Sequence, residues 1–535
     1  MPDIKVKSTG KTYSCQEGGS LLRTLLDGGE FIDNACNGVG VCGKCKIKVL
    51  SGDVSGLADN EKKLLTEEEL GDGVRLACMV EVFGDAEVEL IKEELKHKVL
   101  VKGYMPDDFV PDEHDGGYGA AIDIGTTTVV TALVDMKTGD EIAYASMVNA
   151  QKSYGLDVLT RITYEYENGE DGIRQLQEAI VGSINDMLDE ACRKAGLDRH
   201  VVRHVTVGAN CTMMHMLLGV DARSIGKSPF IPEFTEAQTL KCADIGIDVA
   251  EGADLYCLPQ VSGYIGADIV AGAYVCRLDK AEGNVLFIDI GTNGEIVLSR
   301  GGDLLCCSCA AGPALEGMNI SSGMRAAEGA IEDVYVRENG IELHTIGDRS
   351  PVGICGSGIL AILRELLKTG IVTKRGAFVK YEKLADDDWR KKYVRLNGTK
   401  REFVMNEEPE LLVTQGDVRQ VQLAKGAILS GFMALLNKAG ITMKDLDCVM
   451  IAGQFGAHLP EDSLISVGIL PEDARGKMKY VGNSSKTGAY MALMSEKAKR
   501  DMEELAKKMH YFELAETDNY ERVLMKASVF PSFEG

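Results

Sequence analysis

Phe287-Ile288-Asp289-Ile290-Gly291-Thr292-Asn293-Gly294-Glu295-Ile296 decides how this chain is to be read. An apolar, strand-like run ends in an aspartate, the chain turns on two glycines, and a second apolar run, Ile296-Val297-Leu298, leaves. Nearly the same wording stands 166 residues earlier, as Ala121-Ile122-Asp123-Ile124-Gly125-Thr126-Thr127-Thr128-Val129-Val130. Either copy alone fits an ordinary β-hairpin, but two copies in corresponding places point to a duplicated domain. The residue types suit a phosphate. Glycine lets the backbone come close, turn amides and threonine hydroxyls donate to phosphate oxygens, and an aspartate at a strand end can hold Mg2+ through water. Asp123, Gly125, Thr126, Thr127, Thr128, Asp289, Gly291, Thr292, Asn293 and Gly294 therefore read as the paired phosphate loops of a two-lobed ATPase.

The totals bound the partners. The 535 residues suffice for three or four domains, and the apolar content of 45% with 60 glycines describes a globular, turn-rich protein. A net charge of −24 with no basic block argues against nucleic acid and against an anionic membrane surface. The best apolar run, Ile359 to Leu367, is interrupted by Arg364 and Glu365, and Met1 to Tyr13 lacks the apolar core of a signal peptide. A cytoplasmic protein is expected, its 15 cysteines thiols or metal ligands rather than disulfides.

The first ninety residues carry their own chemistry. Ile4–Lys7 and Lys11–Ser14 read as a short hairpin, and Ser20–Asp27 as a helix ended by Gly28-Gly29. Cys36, Cys42 and Cys45 then fall on one glycine-rich loop, and Cys78 follows with 32 residues between it and Cys45. Four thiolates, three on a loop whose glycines let amides turn inward, are the ligand set of a [2Fe–2S] centre. A zinc site is the alternative, but zinc favours two tight cysteine pairs and only Cys42 and Cys45 form one. The five residues between Cys36 and Cys42 resemble the adrenodoxin-like [2Fe–2S] ferredoxins, which implies a β-grasp fold. Cys15 lies outside the pattern and reads as packed.

Residues 1–92 are thus expected as a ferredoxin-like domain, and 93–117, rich in Pro, Gly and acids, as a linker with one strand at Val99-Leu100-Val101. A first lobe over 118–280 has predicted strands Ala120–Ile124, Thr128–Val134 and Glu141–Val148. A helix from Gly172 to Ala195, a strand His204–Val207 and a helix Thr212–Leu218 follow. His215, among Met213, Met214, Met216 and Leu217, reads as a satisfied core histidine rather than a ligand. A second lobe over 281–510 repeats the meander at Val285–Ile290, Glu295–Leu298 and Asp303–Cys307. Cys306, Cys307, Cys309 and Cys355 read as small buried residues, since neighbours on a strand face opposite ways. Ser357 sits in a glycine-rich helix start. The helix Asp417–Ala439 offers Arg419 and Lys425 as nucleotide contacts or solvated charges. Gly453, Gln454, Phe455 and Gly456 close a strand where an adenosine could rest, and one further helix is predicted over Lys486–Lys508. For 511–535 the expectation is an acidic tail.

The order Asp123-Ile124-Gly125-Thr126, Asp289-Ile290-Gly291-Thr292, Ala452-Gly453-Gln454-Phe455-Gly456 resembles the actin, sugar-kinase and heat-shock ATPase superfamily. With a ferredoxin ahead of it, the whole chain resembles the reductive activators of corrinoid proteins. That resemblance implies an α+β β-grasp [2Fe–2S] domain followed by a duplicated α/β actin-like, ribonuclease H-like core. It implies a [2Fe–2S] cluster on Cys36, Cys42, Cys45 and Cys78. Mg-ATP is expected on Asp123, Gly125 to Thr128, Asp289, Gly291 to Gly294 and Gly453 to Gly456, with Glu295 orienting the attacking water. It further implies one-electron reduction of Co(II) to Co(I) on a corrinoid methyl-carrier, a low-potential donor such as a ferredoxin or flavodoxin, and allows a homodimer. The cobalamin is assigned to the partner, on the expectation that the corrinoid-binding pattern Asp-x-His-x-x-Gly does not occur in this chain. Two other readings stay open: an activator of a radical dehydratase, though those bridge a dimer with a [4Fe–4S] cluster and lack the fused ferredoxin, and a kinase or heat-shock-like ATPase with a ferredoxin attached.

Overall fold

A computed structural model describes residues 1–7, 9–28, 30, 32, 43, 45–91, 104–398, 400–407, 410–453 and 459–531. The chain divides into two compact units. In the first, strands β1 (Asp3–Val6), β2 (Thr12–Ser14) and β3 (Gly19–Ser20) lead into helix α1 (Leu21–Asp27). Strand β4 (Lys46–Val54), helices α2 (Asp59–Leu64) and α3 (Glu67–Gly71), and strands β5 (Val74–Leu76) and β6 (Glu81–Leu90) complete it. The sheet runs β2-β1-β6-β4-β5, with β1 parallel to β6 and β3 pairing β6 from the side. Alternation sets its core: Ile4 and Val6 of β1 are buried, as are Leu21, Leu22 and Leu25 along one stripe of α1. Gly28 ends that helix for want of room rather than for a left-handed turn, because a Cβ there would lie 2.3 Å from the Tyr13 ring. Cys15 is buried just beyond β2 and its Sγ accepts from Thr24 Oγ1.

The second unit holds two lobes built to one plan. Strands β7 (Tyr118–Ile124), β8 (Thr128–Asp135) and β9 (Glu141–Val148) form an antiparallel meander. Then come α4 (Val158–Lys194), β10 (Val202–Ala209), α5 (Cys211–Leu218), β11 (Gln238–Lys241), β12 (Asp254–Cys257) and α6 (Ala267–Val275), in the sheet order β11-β12-β10-β7-β8-β9. The second lobe begins with β13 (Asn284–Ile290), β14 (Gly294–Arg300) and β15 (Asp303–Cys309). An inserted portion carries β16 (Ala330–Arg337), β17 (Gly340–Thr345), β18 (Gly353–Ile354), α7 (Gly356–Lys368), β19 (Val394–Asn397), β20 (Lys400–Glu407) and β21 (Glu410–Thr414). The lobe closes with α8 (Gln415–Ala439), β22 (Cys448–Ala452), α9 (Glu461–Val467), β23 (Met478–Gly482), α10 (Ser484–Met494), α11 (Glu496–Lys508), β24 (Met509–Tyr511) and α12 (Tyr520–Ala527). Its sheet, β23-β22-β13-β14-β15-β24, repeats the first about the β7 and β13 positions, with β10 and β22 each parallel to the strand that opens its lobe.

The duplication crosses over. Helix α10 belongs to the second lobe by sequence, yet Thr206 of β10 donates to the Ala489 carbonyl at 2.7 Å, and buried Lys486 pairs with Glu141 of β9 at 2.6 Å. Helices α6 and α10 meet closely, since a Cβ on Gly488 would come within 2.4 Å of the Ala271 side chain.

Several sequence expectations need correction. The long helix starts at Val158, capped by Asp157 and Thr160, and bends where Gly169 adopts φ 59°. The polar run Tyr164 to Asn168 hid its first turns. The helix expected over 486–508 is two, broken at Ser495, whose φ of −152° and ψ of 120° are extended. Lys425 is no nucleotide contact: it is buried, donates to the Val529 carbonyl at 2.7 Å and sits over the Phe530 ring, while Arg419 is exposed. The stretch read as an acidic tail therefore packs, with Tyr520 of α12 hydrogen-bonded to Ser430 of α8. The strand expected at Val99–Val101 lies outside the described residues. Cys306 and Cys307 do face opposite sides of β15, the first into the core shared with α6 and the second toward the Gly431 carbonyl. Among the described residues no helix is long and apolar enough to cross a membrane.

Candidate nucleotide cleft and cluster site

Two of the four expected cluster ligands, Cys36 and Cys42, lie outside the described residues. The other two are brought together by strand register. Lys46 stands opposite Leu76, so Cys45 lies across from Ala77, whose N–H donates to the Cys45 carbonyl at 2.8 Å. The Cys45 and Cys78 sulfurs are 3.2 Å apart, close to the separation of about 3.7 Å expected for two thiolates on one tetrahedral metal. Cys45 is buried and Cys78 half-buried. Behind them Glu61 is fully buried, takes both arms of Arg75 at 2.7 and 2.8 Å, and accepts the Leu76 amide at 2.9 Å. Burial alone would raise the Glu61 carboxyl; Arg75 and the amides of Ala58 and Leu76 outweigh it and hold it below its usual range. That bidentate pair fixes the strand delivering Cys78.

In the second unit Asp123 and Asp289 lie at the ends of β7 and β13, each the first strand of its lobe and each parallel to a neighbour in its own sheet, β10 and β22. Gly125 must be glycine, since a Cβ would lie 2.7 Å from the Thr128 carbonyl. Gly453, at φ +96°, presses against Asp289: a Cβ would fall 2.7 Å from its Oδ1 and from the Ile290 carbonyl. The first glycine of the expected adenosine loop thus touches the second phosphate-loop aspartate, while Gln454, Phe455 and Gly456 lie outside the described residues. Asp123 Oδ2 accepts from Asn483 Nδ2 at 2.8 Å, and Asn483 Oδ1 also caps α10.

Sequence reasoning missed two acids here. Asp268, at the start of α6, and Glu316, whose Oε1 accepts from Thr292 Oγ1 at 2.6 Å, join Asp123, Asp289 and Glu295 in one electrostatic group. Burial and the neighbouring Asp289 and Asp123 push Asp268 up to about 8. Burial, Asp123 and Glu316 push Asp289 up to about 7. Glu295 is raised well above its ordinary value by burial, Asp268 and Asp289. Burial raises Asp123 and Glu316 as well, with Asn483 and Thr292 opposing it. Carboxyl groups from both lobes that burden one another in this way suit a hard divalent cation, which relieves the repulsion. Among the described residues no group of three His, Cys, Asp or Glu side chains is placed to hold a metal directly. Contact through water, as read from the sequence, asks for no such group.

His215 is a structural histidine. Buried on α5, its Nδ1 donates to the Cys211 carbonyl at 2.8 Å, its Nε2 accepts the Glu233 amide at 3.1 Å, and its ring stacks on Phe234. Burial holds its pKa below the ordinary 6.5, so the folded protein resists protonating it and loses stability as pH falls below 6.5. Between pH 7.5 and 5.5 the parent Tm is expected to fall further than that of His215→Gln; parallel pH profiles would dismiss this assignment.

One spacing runs against placing the cobalamin on a partner. Asp112-Glu113-His114-Asp115-Gly116-Gly117 does match Asp-x-His-x-x-Gly. The structure spends these residues on a strap. Asp112 accepts from the Glu496 amide at 2.7 Å, capping α11, and His114 Nε2 lies 3.3 Å from the Met494 carbonyl. The match is one of spacing.

Fold and cleft together define a duplicated, actin-like ATPase joined to a β-grasp ferredoxin. The family models agree: a 2Fe–2S iron–sulfur cluster binding domain matches residues 4–82, the RACo middle region 118–281, and the C-terminal domain of RACo, the ASKHA domain, 283–534. The corrinoid activation enzyme RamQ of Eubacterium limosum is 32% identical over 453 residues, 83% of this chain and 76% of that protein. The chain belongs to this family, the reductive activators of corrinoid proteins. A Co(II) methylated amine-specific corrinoid protein reductase of Methanosarcina barkeri is 25% identical over 423 residues, 73% of each chain. Among solved structures, a reductive activator for a corrinoid, iron–sulfur protein covers 100% of this chain and 99% of its own, at 29% identity and a TM-score of 0.71.

Proposed function

We propose that this chain spends ATP to move one electron, carried on its [2Fe–2S] centre, to Co(II) of a corrinoid methyl-carrier protein, restoring the Co(I) nucleophile. The observation that carries the reading is the union, in one chain, of a converging cysteine pair with a buried group of carboxyls drawn from two lobes, in a sequence that aligns with a corrinoid activation enzyme over 83% of its length. When bound, the cluster supplies one-electron transfer and Mg2+ neutralises phosphate charge.

Cys36, Cys42, Cys45 and Cys78 would hold the cluster. Gly125, Thr126, Thr127 and Thr128 with Gly291, Thr292, Asn293 and Gly294 would cradle the phosphates, and Asp123 and Asp289 would hold Mg2+ through water. Gly453 to Gly456 would pack the adenosine. Glu295, now joined by Asp268, would orient the attacking water. The electron donor would be a low-potential ferredoxin or flavodoxin, the cobalamin would stay on the partner, and the protein would act in the cytoplasm. The module boundaries would be 1–92, 93–117, 118–280 and 281–510, with 511–535, whose α12 packs on α8, belonging to the second lobe.

Energetics give the fusion its purpose. Plant-type ferredoxins sit near roughly −400 mV, and each further 100 mV uphill costs about 2.3 kcal/mol per electron. Such a deficit lies within reach of nucleotide-driven lobe closure. The test is the Co(I) absorbance of an added corrinoid protein, with reduced activator and Mg-ATP. Its appearance only with nucleotide supports the proposal; equal reduction without nucleotide overturns it.

A further inference from the structure

Arg161, fully buried at the start of α4, donates only to neutral acceptors: the Gly155 carbonyl at 2.9 Å, Gln151 Oε1 at 3.3 Å, Met213 Sδ at 3.0 Å and the Thr126 carbonyl at 2.6 Å. Among the described residues no carboxylate forms an ion pair with it. Asp157, the cap of α4, offsets this charge only from a distance and without an ion pair, so a further anion would relieve the cost of burying it. Burial pulls its pKa down to about 9, which leaves it charged at neutral pH.

The geometry gives that charge a direction. Asn149 Nδ2 donates to the Gly125 carbonyl at 2.9 Å, just as Arg161 donates to that of Thr126. In a trans peptide the C=O and N–H point opposite ways, so the amides of Thr126 and Thr127, which share these peptide planes, point away from the clamp. Neither amide has an acceptor among the described residues. A cation on the carbonyl end of a peptide group polarises it and sharpens the donor at its far end. The duplicated loop supplies the contrast. There the Thr292 carbonyl accepts from the neutral Gly312 amide at 2.7 Å.

We infer that Arg161 is a positioning residue that charges the first phosphate loop, so that the Thr126 and Thr127 amides favour the polyphosphate end of a nucleotide over its nucleoside end. The inference rests on the ATPase reading above and deepens it: the two loops are unequal, and the first takes the greater share of negative charge.

The experiment measures Kd for AMP, ADP and ATP, with Mg2+, on the full-length, cluster-loaded protein. In Arg161→Met, which keeps length and removes charge, ATP is expected to weaken by about tenfold or more while AMP stays within about twofold. Arg161→Lys is expected to keep much of the ATP-to-AMP preference at pH 6.5 and to lose it by pH 8.5, where a buried lysine has given up its proton and the parent's Arg161 has not. Equal weakening of all three nucleotides by Arg161→Met, as loss of a purely structural contact would give, overturns the inference, and so does an unchanged ratio. If Arg161→Met does not fold, the pH course of the Arg161→Lys ratio against the parent decides alone. A parent chain that binds no nucleotide overturns the ATPase reading itself; a parent that binds ATP with a preference indifferent to position 161 overturns only this inference.

Discussion

Asp289→Ala is expected to lower ATP-dependent Co(I) formation by about a hundredfold or more, the usual cost of losing the cation that stabilises developing phosphate charge, which Asp289 would hold. The residue ends β13, shares its electrostatic neighbourhood with Asp123, Asp268 and Glu295, and is pressed by Gly453. The described cluster cysteines belong to the other compact unit. EPR of the reduced variant should therefore show an unaltered [2Fe–2S] signal while partner-stimulated ATP hydrolysis disappears. A variant that loses its cluster would mean the two chemistries are not carried by separate units. One that reduces cobalt at the parent rate would remove Asp289 from the machinery.

Cys45→Ser is expected to do the reverse. The residue is buried beside Cys78 and tied to it through the Ala77 amide. Oxygen is a poor substitute for a thiolate among iron ligands. The reduced-protein EPR signal should vanish with Co(I) formation, while nucleotide binding and the folding of the second unit persist. Cys15→Ser is the control, since Cys15 packs against Thr24, and should leave the signal unchanged. A full cluster signal in Cys45→Ser would overturn the ligand assignment.

Local pattern revealed much of this protein. The Asp-x-Gly-Thr turns are written twice within strands whose apolar runs could scarcely be anything else, and the cysteine spacing needed no tertiary information. What escaped depended on distance. Asp268 reads as one acid in a small-residue helix, and only its placement at the α6 terminus, beside Asp289, gives it a role. Glu316 meets Thr292 across 24 residues. Arg161 was hidden by a boundary: Tyr164 to Asn168 and Gly169 broke the periodicity, so its helix was expected to begin at Gly172. Lys486 and Lys425 look like surface charges in sequence, and each is buried by a partner more than 100 residues away, Glu141 at 345 and Val529 at 104.

The crossed helices carry a cost that falls on the ribosome. Asp123 waits for Asn483, 360 residues downstream, and Thr206 waits for Ala489, 283 residues downstream. At roughly 5–20 residues per second the first sheet, complete at Cys257, emerges roughly 10–45 s before the helix that roofs it has been synthesised. Its apolar face is bare throughout that interval, so the nascent chain is a natural client for a chaperone. A fragment ending before α10 should precipitate rather than persist as half a protein.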